Sequence, residues 1–92
     1  MSYAYGQLAV KECARISSTQ KYTFKNYMRG ISVVNANGLG LSMVVHTKYN
    51  GDIGPVYVPP GLIEWNDNFD DFLSVDFTII SGTGSFDIYG KG

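Results

Sequence analysis

Residues 39–48 read LGLSMVVHTK, and apolar side chains occupy every second position of this stretch. Leu39, Leu41, Met43 and Val45 fall on one side, whereas the other side carries glycine, polar residues and one valine. A period of two is the pattern of a β-strand with one buried and one wetter face. The stretch therefore predicts a half-buried antiparallel strand, and it places His46 on the outer face.

The same period recurs on both sides of this strand. Residues 73–80, LSVDFTII, and residues 20–27, QKYTFKNY, alternate apolar and polar side chains in the same way. Residues 7–16, QLAVKECARI, would have a polar face as a helix, but as a strand they share an apolar face that only Glu12 interrupts. Turn signals recur about every ten residues, which indicates about seven or eight short strands. We predict an all-β antiparallel β-sandwich, of which the jelly roll is one form.

Four glycine-containing stretches mark the turns. Asn-Gly pairs are typical of hairpin turns, and they occur in NANG at 35–38 and in YNGD at 49–52. VPPG at 58–61 ends the next strand, because proline cannot donate to a sheet ladder. SGTG at 81–84 has the glycine spacing of a phosphate loop, but the strand-like SFDIY at 85–89 follows it where a phosphate site needs a helix. We therefore predict a terminal hairpin that pairs the strands on either side of SGTG. Its buried face would carry Val75, Phe77, Ile79, Phe86 and Ile88.

The size and composition of the chain indicate one domain, residues 1–92, without a disulfide framework. Ninety-two residues leave no room for two cores, and the lone Cys13 has no partner cysteine within the chain. The start MSYAYGQLAV lacks the basic segment and long apolar run of a secretory signal, and no apolar run is long enough to cross a membrane. We expect a protein that is made in a cytosol and has no membrane partner.

Charge is divided unevenly along the chain, although the net charge is only −1. Up to residue 50, six basic residues stand against Glu12, and from residue 51 onward seven acidic residues stand against Lys91. The near-zero net charge argues against strong non-specific binding to nucleic acid. Two interpretations of the asymmetry stay open. Either the halves interleave and neutralise each other within one sandwich, or they form basic and acidic faces that meet between copies.

The loop WNDNFDDF at 65–72 holds the most function-like cluster of polar side chains. An aromatic face beside hydrogen-bonding carboxylates is the arrangement by which Trp65, Asp67 and Asp70 would bind a sugar. The loop also offers oxygen ligands for Ca²⁺, but the alternation of an EF-hand fails at Phe69. In the simplest interpretation the loop is a solvated acidic connection whose Trp65, Phe69 and Phe72 cap the core. We therefore expect no metal and no cofactor.

The sequence contains no recognisable catalytic set. His46 is the single histidine, it is expected on an outer strand face, and no GxSxG motif supplies a nucleophile. Glu64 with Asp67 or Asp70 would be the carboxylate pair of a glycosidase, but small sandwiches seldom enclose a deep cleft. We predict that the protein is not an enzyme.

Aromatic residues are abundant, with seven tyrosines, five phenylalanines and one tryptophan. Residues 21–29, KYTFKNYMR, interleave them with basic residues, a composition typical of surfaces that bind single-stranded nucleic acid. Strand alternation would place Tyr22 and Phe24 opposite the lysines, which separates the stacking rings from the charges. Tyrosine is also common in protein–protein interfaces, and Tyr22, Tyr27 and Tyr57 are our candidate interface residues.

The VPPG turn, the terminal GTGSFDIYG and the all-β pattern without a catalytic set carry a resemblance. The chain resembles the small β-sandwich structural proteins of tailed-phage and other viral particles, such as capsid decoration proteins, minor capsid proteins and modules of spikes or fibres. The resemblance implies a non-enzymatic subunit located in the virion and made in the host cytoplasm. Its partners would be other structural subunits of the same particle, either as a homo-oligomer or docked on a larger assembly. A carbohydrate-binding or adhesive module is the second hypothesis, and a binder of single-stranded nucleic acid is the third.

Overall fold

The structure is a computed structural model that describes residues 9–66 and 70–92. Eight strands and no helix occur in this part of the chain. The strands are β1 (Val10–Ile16), β2 (Gln20–Met28), β3 (Gly30–Asn35), β4 (Gly40–Thr47), β5 (Asp52–Val58), β6 (Gly61–Asn66), β7 (Phe72–Ser81) and β8 (Phe86–Lys91).

The strands form two antiparallel sheets of four strands each. The strand order is β1-β8-β3-β6 in one sheet, called sheet A, and β2-β7-β4-β5 in the other, called sheet B. The pairings are nested, because β4 pairs with β5, β3 with β6, β2 with β7 and β1 with β8. The chain is therefore one long hairpin, turned at residues 48–51, whose successive strand pairs alternate between the sheets. This nesting is the jelly-roll arrangement, and the predicted all-β antiparallel sandwich is confirmed.

Only the central turn of the nested hairpin joins two neighbours within one sheet. The predicted YNGD hairpin between β4 and β5 is confirmed, with Gly51 at a φ of 70°. The predicted hairpins at NANG and at SGTG are wrong, because β3 and β4, like β7 and β8, lie in opposite sheets. Gly82 and Gly84 do adopt the positive φ angles expected of them, 90° and 117°, but in a crossover between sheets. The glycine-containing turn residues indicated correctly that the chain reverses, but they did not determine with which strand the next segment pairs.

The core lies between the inward faces of the two sheets. Leu39, Leu41, Met43 and Val45 are each at most 1% exposed, as the alternation predicted. Val75, Phe77, Phe86 and Ile88 are buried as well, and Ile79 is partly buried. The rings of Phe77 and Phe86 meet edge to face, with centroids 4.8 Å apart. The residues predicted for one buried face thus do converge, but they meet across the sandwich and not across a hairpin.

The crossover from β3 to β4 is held by the fully buried side chain of Asn35. Its Nδ2 donates to the backbone oxygens of Leu39 at 2.9 Å and Val58 at 3.5 Å. Its Oδ1 accepts a hydrogen bond from the backbone N–H of Leu39 at 3.0 Å. The amide of Asn35 therefore provides hydrogen-bond partners for backbone groups of Leu39 and Val58 at this end of the sandwich.

Nesting also decides how the two oppositely charged halves of the chain are arranged. Each of the four nested pairs joins a strand from before residue 50 to a strand from after it, so basic and acidic residues become neighbours. Arg15 of β1 binds Asp87 of β8 at 2.9 Å, and Lys21 of β2 lies opposite Asp76 of β7 in the register. The structure therefore supports the interpretation in which the two halves interleave.

Candidate functional site

Asp70 is buried, and its carboxylate organises the turn that precedes β5. Only 2% of the residue is exposed. Oδ1 accepts hydrogen bonds from the backbone N–H groups of Tyr49 at 3.0 Å and Asp71 at 2.8 Å, and Oδ2 accepts one from Nδ2 of Asn50 at 2.6 Å. Burial alone would raise the pKa of this carboxyl, but the hydrogen bonds outweigh it and lower the pKa below its usual value. The carboxylate oxygens of Asp70, which were predicted to meet a sugar or Ca²⁺, thus bind groups inside the protein.

Trp65 lies on the inward face of β6 and packs against the core while remaining partly exposed. Its ring meets that of Phe72 edge to face, with centroids 6.2 Å apart. Asp67 and Phe69 lie outside the described residues. Trp65, Phe72 and Asp70 all contribute to the interior, which supports the interpretation that this loop caps the core.

Tyr22 on β2 links sheet B to sheet A through a hydrogen bond to Glu12 on β1. Its hydroxyl donates to Oε2 of Glu12 at 2.8 Å, and Oε1 of Glu12 accepts from the backbone N–H of Lys25 at 3.0 Å. Burial, and then the bond to Glu12, raise the pKa of Tyr22 to about 12. The β2–β7 register is interrupted between Thr23 and Met28, so Lys25 needs a partner from outside the sheet. Glu12, which interrupts the apolar face of β1, is therefore explained as that partner.

Tyr27 and Tyr57 stand at the surface, with 59% and 60% of each residue exposed. The structure adds Tyr49, which is 63% exposed at the turn before β5. The Nζ atom of Lys48 lies 5.2 Å from the ring centroids of both Tyr27 and Tyr49, within the range of a cation–π interaction. Sequence reasoning did not select Tyr49, although its position next to the Asn-Gly pair of a hairpin turn was a usable signal for exposure.

His46 lies on the outer face of sheet B and bridges two carboxylates. Its Nδ1 is 2.6 Å from Oδ1 of Asp52, and its Nε2 is 2.5 Å from Oδ2 of Asp76. Hydrogen bonding to Asp76, and then to Asp52, raises the pKa of the imidazole above its ordinary value. A protonated ring can donate to both partners at once, so this geometry fits the charged form. Neither nitrogen is free to take a proton from a nucleophile, which supports a structural role.

An open depression on the outer face of sheet A is lined by Cys13, Ala14, Arg15, Asp87 and Tyr89. The two charged groups in it neutralise each other, since Nε and Nη2 of Arg15 donate to the two carboxylate oxygens of Asp87 at 2.9 and 3.4 Å. The exposed Cys13 thus lies beside an ion pair and no imidazole.

One edge of the sandwich, formed by β5 and β6 and called the β5–β6 edge, is apolar. Tyr57 on the outer face of sheet B and Leu62 on the outer face of sheet A are 60% and 59% exposed. Between them the edge of the core is only partly covered. The partly buried residues there are Ile53, Val56, Ile63 and Trp65. The only charged residues of the two strands are Asp52 and Glu64, both acidic. Each is paired within the chain, Asp52 with His46 at 2.6 Å and Glu64 with Lys91 at 3.6 Å.

The opposite edge, formed by β1 and β2 and called the β1–β2 edge, is basic. The two strands carry Lys11, Arg15, Lys21 and Lys25 against the single acidic residue Glu12. Arg15 is paired with Asp87. Within residues 9–66 and 70–92, the three lysines make no ion pair. Interleaving therefore pairs both carboxylates of the β5–β6 edge and leaves the three lysines of the β1–β2 edge without an ion pair in these ranges.

The described ranges contain no group of three or more His, Cys, Asp or Glu side chains placed to hold a metal ion. Every buried side-chain nitrogen or oxygen atom in the same ranges has a hydrogen-bond partner. No helix that could cross a lipid bilayer occurs in the part of the chain that the structure covers. Comparison of the chain with protein-family models, curated protein sequences and solved structures finds no match.

Proposed function

We propose that the chain is a non-enzymatic structural subunit of a viral particle, in its capsid shell, its decoration or a spike, and that it acts through protein–protein contacts. The observation that carries the proposal is the number of large apolar side chains left at the surface of a small domain. These are Val10, Tyr27, Tyr49, Tyr57, Leu62 and Ile80, each between 58% and 65% exposed. Exposed tyrosine and aliphatic side chains are the usual material of protein interfaces.

The architecture supports the viral part of the proposal by analogy. Jelly rolls of eight strands are recurrent in viral capsid proteins, although the same fold also occurs in lectins and cupins. Fold alone does not determine function, so the analogy supports the class of role and names no residue.

The chemistry of the described surface supports a role without catalysis. The two nitrogens of His46 are engaged by carboxylates, and the depression beside Cys13 holds an internally neutralised ion pair. An enzyme needs a nucleophile or a base whose reactive atom is available to substrate. The polar groups of these two clusters bind one another.

The two alternative functions receive less support from the same contacts. A sugar platform loses one of its hydrogen-bonding groups, because Asp70 is buried, and Trp65 is turned toward the core. A groove for single-stranded nucleic acid needs several stacking rings along a basic track. Tyr27, Lys48 and Tyr49 supply two rings and one cation.

Gradient-purified particles from the cells that make this chain test the proposal. The chain should band with the particles, and it should remain with them after the particles are washed free of soluble protein. The matched control is a soluble protein of similar mass from the same cells, which should stay at the top of the gradient. Recovery of the chain only with that soluble control would refute the proposal.

A further inference from the structure

We propose that protonation of His46 controls the order of the first half of β5, residues 52–56. With a proton on both ring nitrogens, the imidazole holds carboxylates of β5 and β7, the two strands on either side of β4 in sheet B. Loss of one proton releases Asp52 and loosens β5. This pH-dependent contact belongs to the fold of the chain itself, so it goes beyond the proposed function and does not rest on it.

The two contacts of His46 cannot both survive when the ring is neutral. Nδ1 lies 2.6 Å from Oδ1 of Asp52, and Nε2 lies 2.5 Å from Oδ2 of Asp76. An ionised carboxylate only accepts hydrogen bonds, and a neutral imidazole carries a single N–H. One ring nitrogen would then present its lone pair to a carboxylate oxygen at hydrogen-bond distance. Deprotonation must therefore open one of the two contacts.

The neighbouring charged groups do not replace the missing donor. Within the residues that the structure covers, Asp52 and Asp76 form ion pairs with His46 alone. Lys21 of β2 lies opposite Asp76 in the register but forms no ion pair with it there. Lys48, in the turn after β4, has its ammonium group beside two tyrosine rings. On β4 itself no other residue is titratable.

Asp52 is the partner that the neutral ring should release. Its side chain is 66% exposed, compared with 47% for Asp76. Asp52 begins an edge strand that pairs with β4 alone, whereas Asp76 lies in β7, which has β2 and β4 on its two sides. The bond to Asp76 also contributes more than the bond to Asp52 to the raised pKa of His46. The remaining proton should therefore stay on Nε2, bound to Asp76.

Few other contacts hold the first half of β5. Of its seven residues only Val58, the last, is buried. The register with β4 shifts between Met43 and Val45, so the pairing is interrupted opposite this half. The preceding turn, in contrast, is fixed by hydrogen bonds of the Asp70 carboxylate and the Thr47 hydroxyl. Loosening should therefore be confined to the residues between this turn and Val58.

NMR of the ring nitrogens tests the protonation step, and the single histidine of the chain makes the signals unambiguous. Because the pKa of His46 is raised, both nitrogens should be protonated below about pH 6.5, and one proton should leave as pH rises through the folded-state pKa. Nδ1 should be the nitrogen that loses its proton. A neutral ring that is protonated at Nδ1 would show that Asp76 is released instead, which would overturn the proposal.

Backbone order parameters from NMR relaxation test whether β5 loosens. For the amides of residues 52–54 and 56, they should fall from about 0.85 below about pH 6.5 to about 0.6 above the folded-state pKa of His46. The amides of β8, a central strand of sheet A, should stay near about 0.85 throughout. Values in β5 that remain constant while His46 loses its proton would contradict the proposal.

Two variants should abolish the transition in β5. His46→Gln removes the titrating group, and Asp52→Asn supplies an amide N–H that can donate to an unprotonated Nδ1. The matched control is Asp87→Asn, which changes a carboxylate that binds Arg15 on the outer face of sheet A and should keep the pH dependence of the wild type. A transition in β5 that persists in Asp52→Asn, or one that disappears in Asp87→Asn, would refute the assignment to the His46–Asp52 contact.

Discussion

Substitution of Asn35 by alanine should be among the most damaging single changes that leave the apolar core intact. The side chain is fully buried, and its Oδ1 is the hydrogen-bond partner of the backbone N–H of Leu39. An unpaired buried donor costs about 1–3 kcal/mol, and the lost Nδ2 bond to the Leu39 oxygen adds about 1 kcal/mol. We therefore expect a loss of about 2–4 kcal/mol from a total stability on the order of 5–15 kcal/mol.

Urea unfolding followed by tryptophan fluorescence measures this loss directly, and the thermal midpoint should fall by roughly 10–25 °C. Asn37→Ala is the matched control from the same crossover. Asn37 is exposed and donates a single hydrogen bond, from Nδ2 to the backbone oxygen of Ser85 at 2.9 Å, so its loss should cost less than about 1 kcal/mol. Equal stability of the two variants would refute the assignment of Asn35 as the side chain that holds the crossover.

Three further outcomes follow from contacts elsewhere in the sandwich. Tyr22→Phe should lower the free energy of unfolding in urea by about 1–2 kcal/mol, because it leaves a carboxylate oxygen of Glu12 without its donor. Alkaline titration of the variant should lack the tyrosine whose pKa is about 12, and an unchanged titration curve would contradict this. The raised pKa of His46 means that its stabilising effect is complete below about pH 6.5 and is lost as pH rises through the folded-state pKa. The unfolding free energy of wild type should therefore fall across that window relative to His46→Gln, and parallel pH profiles would argue against a charged imidazole. Deletion of residues 85–92 removes β8, which lies between β1 and β3, together with the buried Phe86 and Ile88. Cooperative unfolding should therefore disappear. A soluble truncated chain that still unfolds cooperatively would show that β8 is dispensable.

Strand faces could be predicted from the sequence because the period of two is a local property. Leu39 to Val45 and Val75 to Phe77 are buried at the alternate positions that the pattern indicated. The alternation of LSVDFTII predicted an inward Leu73, and this failed. Leu73 has no partner residue in β4, because the register shifts there: His46 pairs with Ser74 and Thr47 pairs with Phe72. A bulge of this kind depends on the neighbouring strand, which the residues around Leu73 do not specify.

Strand neighbours could not be predicted in the same way. The Asn-Gly pairs at 37–38 and 50–51 have the same local chemistry, yet the first begins a crossover between sheets and the second forms a hairpin. The crossover is accompanied by the buried amide of Asn35, which donates to the backbone oxygens of Leu39 and of Val58, and Val58 is distant in sequence. Contacts of that range become visible only when the whole chain is folded.

The candidate site shows the same division between local and long-range information. The exposure of Tyr27 and Tyr57 agrees with a surface role. Asp70, in contrast, was expected at the surface but is buried, and its carboxylate accepts hydrogen bonds from Tyr49 and Asn50. A run of acidic residues indicates solvent exposure on average, and it does not reveal that one member completes a distant turn. The basic β1–β2 edge could not be predicted either, because β1 and β2 belong to opposite sheets and share an edge only through the nesting.

The copy number of the chain in purified virus particles tests the central claim most directly. Quantitative mass spectrometry with isotope-labelled peptides of this chain, referred to a known major component of the same particle, gives copies per particle. A structural subunit should be present in many copies at a ratio that stays constant between preparations. A ratio below one copy per particle, or one that varies with the extent of washing, would contradict the claim that this jelly roll is a structural subunit of a viral particle.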